Sequence, residues 1–584
     1  MIYNLFKEKA RNFPEKVAIS FPGKIDVSHA EAEKRAREVR QTLLRLGVKP
    51  GDRVALVLPN SAEMIILSLG ILSFATLAPL NPKYKKNEFD FYLSDLKPSV
   101  LILSDGEDSP ALATAQEKGI KVLRMDADTG RLFPEDGLEK QEIEIAEETL
   151  SQINDIALVL HTSGTTSRPK IVPLTQKNIF ASAFNLVRTL HLNPEDKCLN
   201  VMPLFHIHSF VVSLAVLISG GTLICPAVFV ADDFFDWLNL YRPTWYTAAP
   251  TIHLAVLKEA ERNSEILEKI KLKMIRSSSA PLSKEVILKL EEIFKAPVLE
   301  SYGMTEAALQ ITSNQFPPDK RKAGSAGRAD GPDLIIVGED GQELALGEVG
   351  EILIKGDNVI SSYENNPEAN ENSFVNDWFR TGDLGFLDDD NFLFITGRSK
   401  EMINKGGEKI SPREIDEVLM RHASIYQALT FSVPHPSLGE EVGVAIVLEK
   451  DSELSKQDLQ KFAKEYLADF KIPQLIVFME DIPKGPTGKL QRIGFYNKLK
   501  DINMLDNNTS QVKSEKNKIE EIILKIWQEV LGIENLSMED NFFEMGGDSL
   551  KIKEVLCRAS EAGLEIEVED MLSYPSVRSL AARL

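Results

Sequence analysis

Apolar and polar positions follow two alternating periods along the first two thirds of the chain. Short apolar runs such as Arg53–Leu58 (RVALVL) and Val100–Ser104 read as buried strands, and each precedes a stretch at helical spacing, Ser61–Ser73 and Ala111–Lys118. The pairing continues to about residue 396 and predicts an α/β domain of parallel sheets covered by helices. Asp155–Leu160 (DIALVL) is a further strand. The loop after it, HTSGTTSRPK from His161 to Lys170, precedes helical spacing from about Gln176 and reads as a strand-to-helix connection. Near the C-terminus, Ile519, Ile522, Ile523, Ile526 and Val530 recur at helical spacing, and a second helix is expected from about Ser549. Residues 501–517 are polar and aperiodic, as a linker is.

The 584 residues are too many for one core and imply roughly three or four domains. A net charge of −21 argues against nucleic acid or an anionic membrane as main partner. Cys198, Cys225 and Cys557 lie far apart without CxxC spacing, so neither a disulfide frame nor a zinc site is expected; this suits a reducing cytoplasm. Two stretches, Met64–Pro82 and Cys198–Ala231, contain no Asp, Glu, Lys or Arg. Gly70 and Pro79 interrupt the first, and His206, His208, Gly220, Gly221 and Pro226 the second, so both are expected to be buried elements rather than membrane spans.

The chemistry-bearing residues lie at junctions of these elements. Thr162, Ser163, Gly164, Thr165, Thr166 and Ser167 are small, which leaves backbone N–H groups and hydroxyls free to close on phosphate oxygens, while Arg168 and Lys170 add positive charge. VMPLFHIH, TWYTAAPTIH and MIRSSSAPL join apolar runs to polar groups as a small-molecule pocket does; His206, His208, His253, Arg276 and Ser278 are its candidates. In SYGMTEA, Tyr302 offers a flat ring, Thr305 a hydroxyl and Glu306 a carboxylate suited to magnesium. WFRTGDLG places Asp383 in an expected tight turn, ready to accept from sugar hydroxyls, and PKGPTGKLQR surrounds Lys489 with turn formers. A carboxylate attacking the α-phosphate of ATP needs fixed cations and a magnesium-held leaving pyrophosphate, and Lys489 and Glu306 could serve.

HTSGTTSRPK, YGMTE, TGD, GRSKE and PKGPTGK, collinear over residues 1 to about 500, resemble the adenylate-forming superfamily of acyl-CoA synthetases, aryl-CoA ligases and peptide-synthetase adenylation domains. The resemblance implies a large domain at residues 1–398, a mobile α+β subdomain at 399–498, a linker at 499–517 and a carrier domain at 518–584. It implies that Tyr302 stacks on adenine, Asp383 binds ribose with Arg398 in support, Thr305 contacts phosphate, and Thr165 and Glu306 serve magnesium. Lys489 would bridge the acid and the α-phosphate. Rotation about Lys400 would then bring Gly406 and Gly407 to the site and open a path for a thiol.

The departures inform the substrate. The family commonly has Gly where Ser167 stands. Amino-acid-activating members place Asp after the Phe matching Phe205; here His206 follows, which argues against an ordinary α-amino acid because a buried ammonium would lack a counter-charge. HTSGTTSRPK, PLFHIH, WYTAAPTIH and IRSSSA look like the oxalyl-CoA synthetase branch, yet Leu309 stands where that branch has His, favouring an acid less polar than oxalate. The tail, DNFFEMGGDSL, resembles acyl- and peptidyl-carrier domains, which implies a helical bundle with a 4′-phosphopantetheine arm on Ser549.

The expected activity is therefore ATP-dependent activation of a small carboxylic acid, followed by self-loading of the arm. The implied partners are a phosphopantetheinyl transferase and a downstream acyl acceptor enzyme. Two alternatives are a ligase using free coenzyme A and a non-catalytic nucleotide-binding scaffold.

Overall fold

In this computed structural model the described residues are 1–24, 26–106, 109–127, 129–135, 150–162, 169–450, 452–483, 490–501, 519–533, 536–562, 564 and 566–583. The backbone falls into two units, one built on Met1–Met402 with Lys409–Glu417, the other on Ile403–Glu408, Val418–Pro483 and the residues from Gln491 on.

The first unit is mixed α/β and centred on parallel sheets, as the paired periods predict. One sheet runs in the order Leu132–Pro134, Lys121–Met125, Val100–Ser104, Arg53–Val57, Thr76–Pro79, Ile156–Thr162, Lys170–Thr175, parallel except at its two edges. A nine-stranded sheet carries six parallel strands, from Val298–Met304 through Met274–Ser277, Trp245–Ala248, Lys197–Asn200 and Thr222–Ile224 to Val17–Ser20. The two low-charge stretches supply helices within its core. Ala62–Leu72 is started by Ser61, whose Oγ accepts from the Met64 N–H at 3.0 Å, and all but Glu63 of its residues are buried. Every residue of Ile207–Ser219 is buried. A helix apolar all round belongs inside a core, where each Leu or Ile contributes roughly 1.5–3 kcal/mol. Among the described residues no helix is long and apolar enough to cross a membrane.

Two local expectations fail. The last residue of the phosphate-type loop opens a strand, Lys170–Thr175, which pairs antiparallel with Ile156–Thr162 before the helix Gln176–Thr189 begins. The connection is thus strand to strand. Pro173 disguises the strand, but it lies on the sheet edge, where a missing N–H is tolerated. The parallel alternation also ends early: Asp333–Val337, Gly350–Lys355, Trp378–Leu387, Phe374–Val375 and Leu393–Arg398 form an antiparallel sheet. Asp383 accordingly sits within a strand, not in a tight turn.

In the second unit, Ile425–His435 and Gly439–Leu448 pair antiparallel along their length, and Leu475–Phe478 adds in parallel. Its C-terminal part is helical: residues 519–531, Ser549–Glu561, Val568–Ser573 and Val577–Arg583 enclose Ile523, Trp527, Phe542, Val555, Met571 and Leu580.

Candidate active site

Two antiparallel neighbours create the first corner of the site. Asp383 and Arg398 are register partners on adjacent strands, so their side chains share a face. Arg398 Nε donates to Asp383 Oδ1 at 2.8 Å, and Tyr302 Oη, from the end of Val298–Met304, donates to Oδ2 at 2.5 Å. Asp383 is 4% exposed. Its charge holds the Arg398 guanidinium above its ordinary value, while burial, and then Asp383, push the Tyr302 phenol well up. Gly303, next in the motif, is dictated by packing: a Cβ there would lie 1.5 Å from the Leu309 carbonyl oxygen.

The second corner follows directly. Thr305, Glu306 and Ala307 form a 3₁₀ turn after the Tyr302 strand. Glu306 is 6% exposed; Tyr363 Oη donates to its Oε1 at 2.7 Å. Lys170, which pairs with Thr162 across the hairpin, places Nζ 4.3 Å from the Tyr363 ring centroid. Burial lowers the lysine's pKa against the opposing pull of Glu306, and burial and Glu306 both raise that of Tyr363.

The third group is buried. Arg276 is fully enclosed; Nη1 reaches His208 Nε2 at 3.0 Å and Nη2 donates to Gln310 Oε1 at 3.1 Å. Gln310 Nε2 and Thr189 Oγ1 donate to Asp330, whose Oδ1 accepts from Arg188 at 2.8 Å. A guanidinium only donates, so His208 Nε2 is an acceptor and the ring proton sits on Nδ1, 2.9 Å from Ser279 Oγ. Thr247 Oγ1 also meets Nε2, at 2.7 Å. Burial pushes the Arg276 pKa down to about 10. Ser278 Oγ donates to the Ser301 carbonyl at 3.3 Å. Leu309 is buried with φ of 103°, a left-handed conformation a leucine rarely adopts.

The remaining candidates are less closely joined. His206 immediately precedes the helix Ile207–Ser219, with its ring 4.5 Å from that of Phe205. His253 is fully buried in a different hydrophobic cluster, its Nδ1 3.2 Å from Tyr246 Oη, and burial pushes its pKa down to about 3. Lys400 lies in the turn Ser399–Glu401. In the second unit, Gly406 and Gly407 adopt φ of 61° and 99°, and the Gly407 N–H donates to Asn404 Oδ1. Ser549 opens the helix Ser549–Glu561, capped by Asp548, whose Oδ1 accepts from the Leu550 and Lys551 N–H groups at 2.9 Å each. Ser163, Gly164, Thr165, Thr166 and Lys489 lie outside the described residues.

Seven polar side chains in these clusters are absent from the sequence reading: Tyr363, Gln310, Asp330, Ser279, Thr247, Thr189 and Arg188. Ser279 lies inside a quoted motif and could have been found there; Asp330, in a short loop, carries no sequence signature.

The residues fit a nucleotide and a cation. Asp383 gives one lone pair of each oxygen to Arg398 and Tyr302, which leaves acceptor capacity for two sugar hydroxyls. Glu306 Oε2 has no hydrogen-bond partner among the described residues. One carboxylate is what magnesium takes when substrate phosphates complete its shell. No group of three or more His, Cys, Asp or Glu among the described residues forms a self-sufficient metal site.

Comparison with known proteins agrees with this geometry. The AMP-binding enzyme family profile matches residues 6–364, its C-terminal-domain profile residues 414–489, and that of the phosphopantetheine attachment site residues 521–584. The chain is 40% identical over 497 residues to the oxalate–CoA ligase of Arabidopsis thaliana, covering 84% of this chain and 96% of that protein. It is 33% identical to the sulfoacetate–CoA ligase of Cupriavidus necator, over 77% of this chain and 88% of the relative. ATP-bound MatB from Rhodopseudomonas palustris superposes with a TM-score of 0.78 at 30% identity, covering 86% of this chain and all of that one. o-Succinylbenzoate CoA synthetase from Bacillus subtilis, in complex with its acyl-adenylate intermediate, superposes with a TM-score of 0.74 at 30% identity, over 84% and 97%. The chain belongs to the AMP-binding enzyme family and is an adenylate-forming acid–thiol ligase carrying a phosphopantetheine attachment domain.

Proposed function

We propose that this ligase activates a small carboxylic acid and passes the acyl group to its own C-terminal domain. A carboxylate oxygen of the acid attacks the α-phosphorus of ATP, and the bond to the β-phosphate breaks to release pyrophosphate. Asp383 accepts from the ribose, Arg398 and Tyr302 hold Asp383 in place, and the Tyr302 ring packs on the base. Thr162 and the loop Ser163, Gly164, Thr165 and Thr166 surround the phosphates with Lys170. Thr305 adds a phosphate contact, and Lys489 supplies the cation between acid and α-phosphate. Glu306, with Thr165, holds the magnesium, which supplies charge neutralisation at the phosphates.

The acid lies near His206, His208, Arg276, Ser278 and Leu309. The observation that carries this reading is Asp383, buried yet with acceptor capacity left over, next to a motif-borne Tyr and Arg. A neutral His208 and the apolar Leu309 support a substrate less polar than oxalate, and the absence of a carboxylate at His206 disfavours an amino acid.

For the second step, residues 399–498 turn about Lys400 and bring Gly406 and Gly407 to the adenylate. The phosphopantetheine on Ser549, once attached, supplies the accepting thiol: its sulfur bonds the acyl carbon and gives up its proton as the bond from that carbon to the phosphate oxygen breaks and AMP leaves. Tethering raises its effective concentration to the millimolar range for short linkers, on the order of 1 mM. Pyrophosphate exchange into ATP across short mono- and dicarboxylic, hydroxy, keto and amino acids identifies the acid. Ser549→Ala is expected to abolish covalent loading and leave exchange intact; loading that persists overturns the self-loading step. The names of the relatives favour a second reading, in which free coenzyme A is the acceptor. In that case acyl-CoA forms at equal rate with and without the arm.

A further inference from the structure

Residues 356–366 run past both the Glu306 turn and the strand that leaves the phosphate-type loop, and they are tied to each. Asn358 Nδ2 donates to the Ala307 and Gln310 carbonyls at 3.0 and 2.8 Å, and the Ile360 N–H donates to the Glu306 carbonyl at 2.9 Å. On the other side Asn178 Nδ2 donates to the Asp357 and Val359 carbonyls at 2.9 and 3.0 Å. The Glu364 N–H donates to the Ile171 carbonyl at 3.2 Å, and Glu364 Oε2 pairs with Arg53 at 2.5 Å. Asn370 fixes the Tyr363 backbone from both ends, accepting from its N–H at 2.7 Å and donating to its carbonyl at 2.9 Å. Tyr363 itself is 5% exposed.

From this held position the tyrosine uses both its polar and its aromatic parts. Its hydroxyl donates to Glu306 Oε1 and leaves Oε2 as the carboxylate oxygen without a hydrogen bond among the described residues. Its ring face seats the Lys170 ammonium at 4.3 Å. A buried tyrosine serving only the core could direct its hydroxyl to any backbone carbonyl; this one joins a nearly buried carboxylate to a cation at the rim of the phosphate-type loop. We infer that Tyr363 is a positioning residue for the adenylation step: its hydroxyl orients Glu306 toward magnesium, and its ring orients Lys170 toward the nucleotide phosphates.

The inference rests on the nucleotide and magnesium reading above, and the test separates the two. ATP binding to the full-length chain is measured by calorimetry without any acid, once with magnesium and once with a chelator. Tyr363→Phe keeps the ring and loses the hydroxyl. It is expected to weaken magnesium–ATP binding about tenfold, the loss of one hydrogen bond to a charged group, and to change magnesium-free ATP binding by less than about twofold, since the lysine's aromatic seat remains. Tyr363→Leu removes both parts and is expected to weaken binding under both conditions; it also serves where Tyr363→Phe does not fold. Tyr363→His, which restores a ring N–H donor, is expected to recover part of the magnesium effect. A Tyr363→Phe chain that binds magnesium–ATP like the wild type, or loses affinity equally with and without magnesium, overturns the role of the hydroxyl. A Tyr363→Leu chain unchanged without magnesium overturns that of the ring. A wild-type chain that binds no ATP sinks the nucleotide reading instead.

Discussion

The corner around Asp383 and the network around Arg276 both keep a charge away from water, and they do so by different means. Asp383 gets Arg398 from strand register and Tyr302 from the end of another strand, and the Arg398 side chain is still 47% exposed. Arg276 is wholly enclosed, and its chain of partners runs through His208, Gln310, Asp330, Thr189 and Arg188, drawn from four separate parts of the sequence. The first arrangement leaves a charge within reach of solvent, so losing one partner mainly costs ligand affinity. In the second, every lost partner strands a group that water cannot reach, so the cost falls on the fold.

The sharpest break of this contrast is Asp383→Ala. Two charge-assisted hydrogen bonds and the proposed sugar contact go together, and pyrophosphate exchange is expected to fall about 100-fold or more, with the melting midpoint moving only a few degrees, roughly the effect of 1 kcal/mol. Exchange within tenfold of wild type would remove the corner from nucleotide binding. Arg276→Met is the converse: urea denaturation should show a loss of about 3 kcal/mol, because His208 and Gln310 keep their burial and lose their donor. A loss below about 1 kcal/mol would mean that the network relaxes as easily as the exposed corner.

His253 tests burial without a charged partner. Its folded-state pKa of about 3 lies below the ordinary histidine value of 6.5, so between those limits the unfolded chain holds the extra proton. Stability is unaffected above pH 6.5 and is lost as pH falls below it, by about 1.4 kcal/mol per pH unit for this one group. His253→Leu is expected to remove that slope, and an unchanged acid profile would falsify the assignment. The smallest expected effect lies outside both regions: Gly547→Ala puts a Cβ 2.3 Å from the Phe542 ring and should cost the carrier part about 1 to 2 kcal/mol, read from its own melting transition.

How far each region was legible in the sequence follows the same division. Tyr302, Glu306, Asp383 and Arg398 lie in short collinear motifs, and strand pairing then brings three of them together. The paired periods were enough to anticipate the parallel sheets. They missed the antiparallel sheet at residues 333–398 because its alternation is broken by charged edges and by Gly382, at φ of 71°. They missed the Lys170–Thr175 strand because a proline speaks against a strand unless its edge position is known. Tyr363 and Asp330 were invisible for another reason: Tyr363 acts on Glu306, 57 positions away, and Asp330 on Arg188, 142 positions away, distances that local pattern does not span.

The turn before Ser549 has a bearing on how a cargo would be carried. The Gly547 N–H donates to the Phe542 carbonyl at 2.9 Å, the Phe542 N–H to that of Pro575 at 2.7 Å, and the Phe542 ring lies 4.7 Å from Trp527. Phe542 therefore ties the segment that leads to Ser549 to the bundle's interior, while Glu544, Gly546 and Asp548 stay at its surface. The Phe542 and Gly547 amide protons should exchange with deuterium only when the bundle opens, so the proposed attachment at Ser549 would rest on a turn anchored in the domain's core.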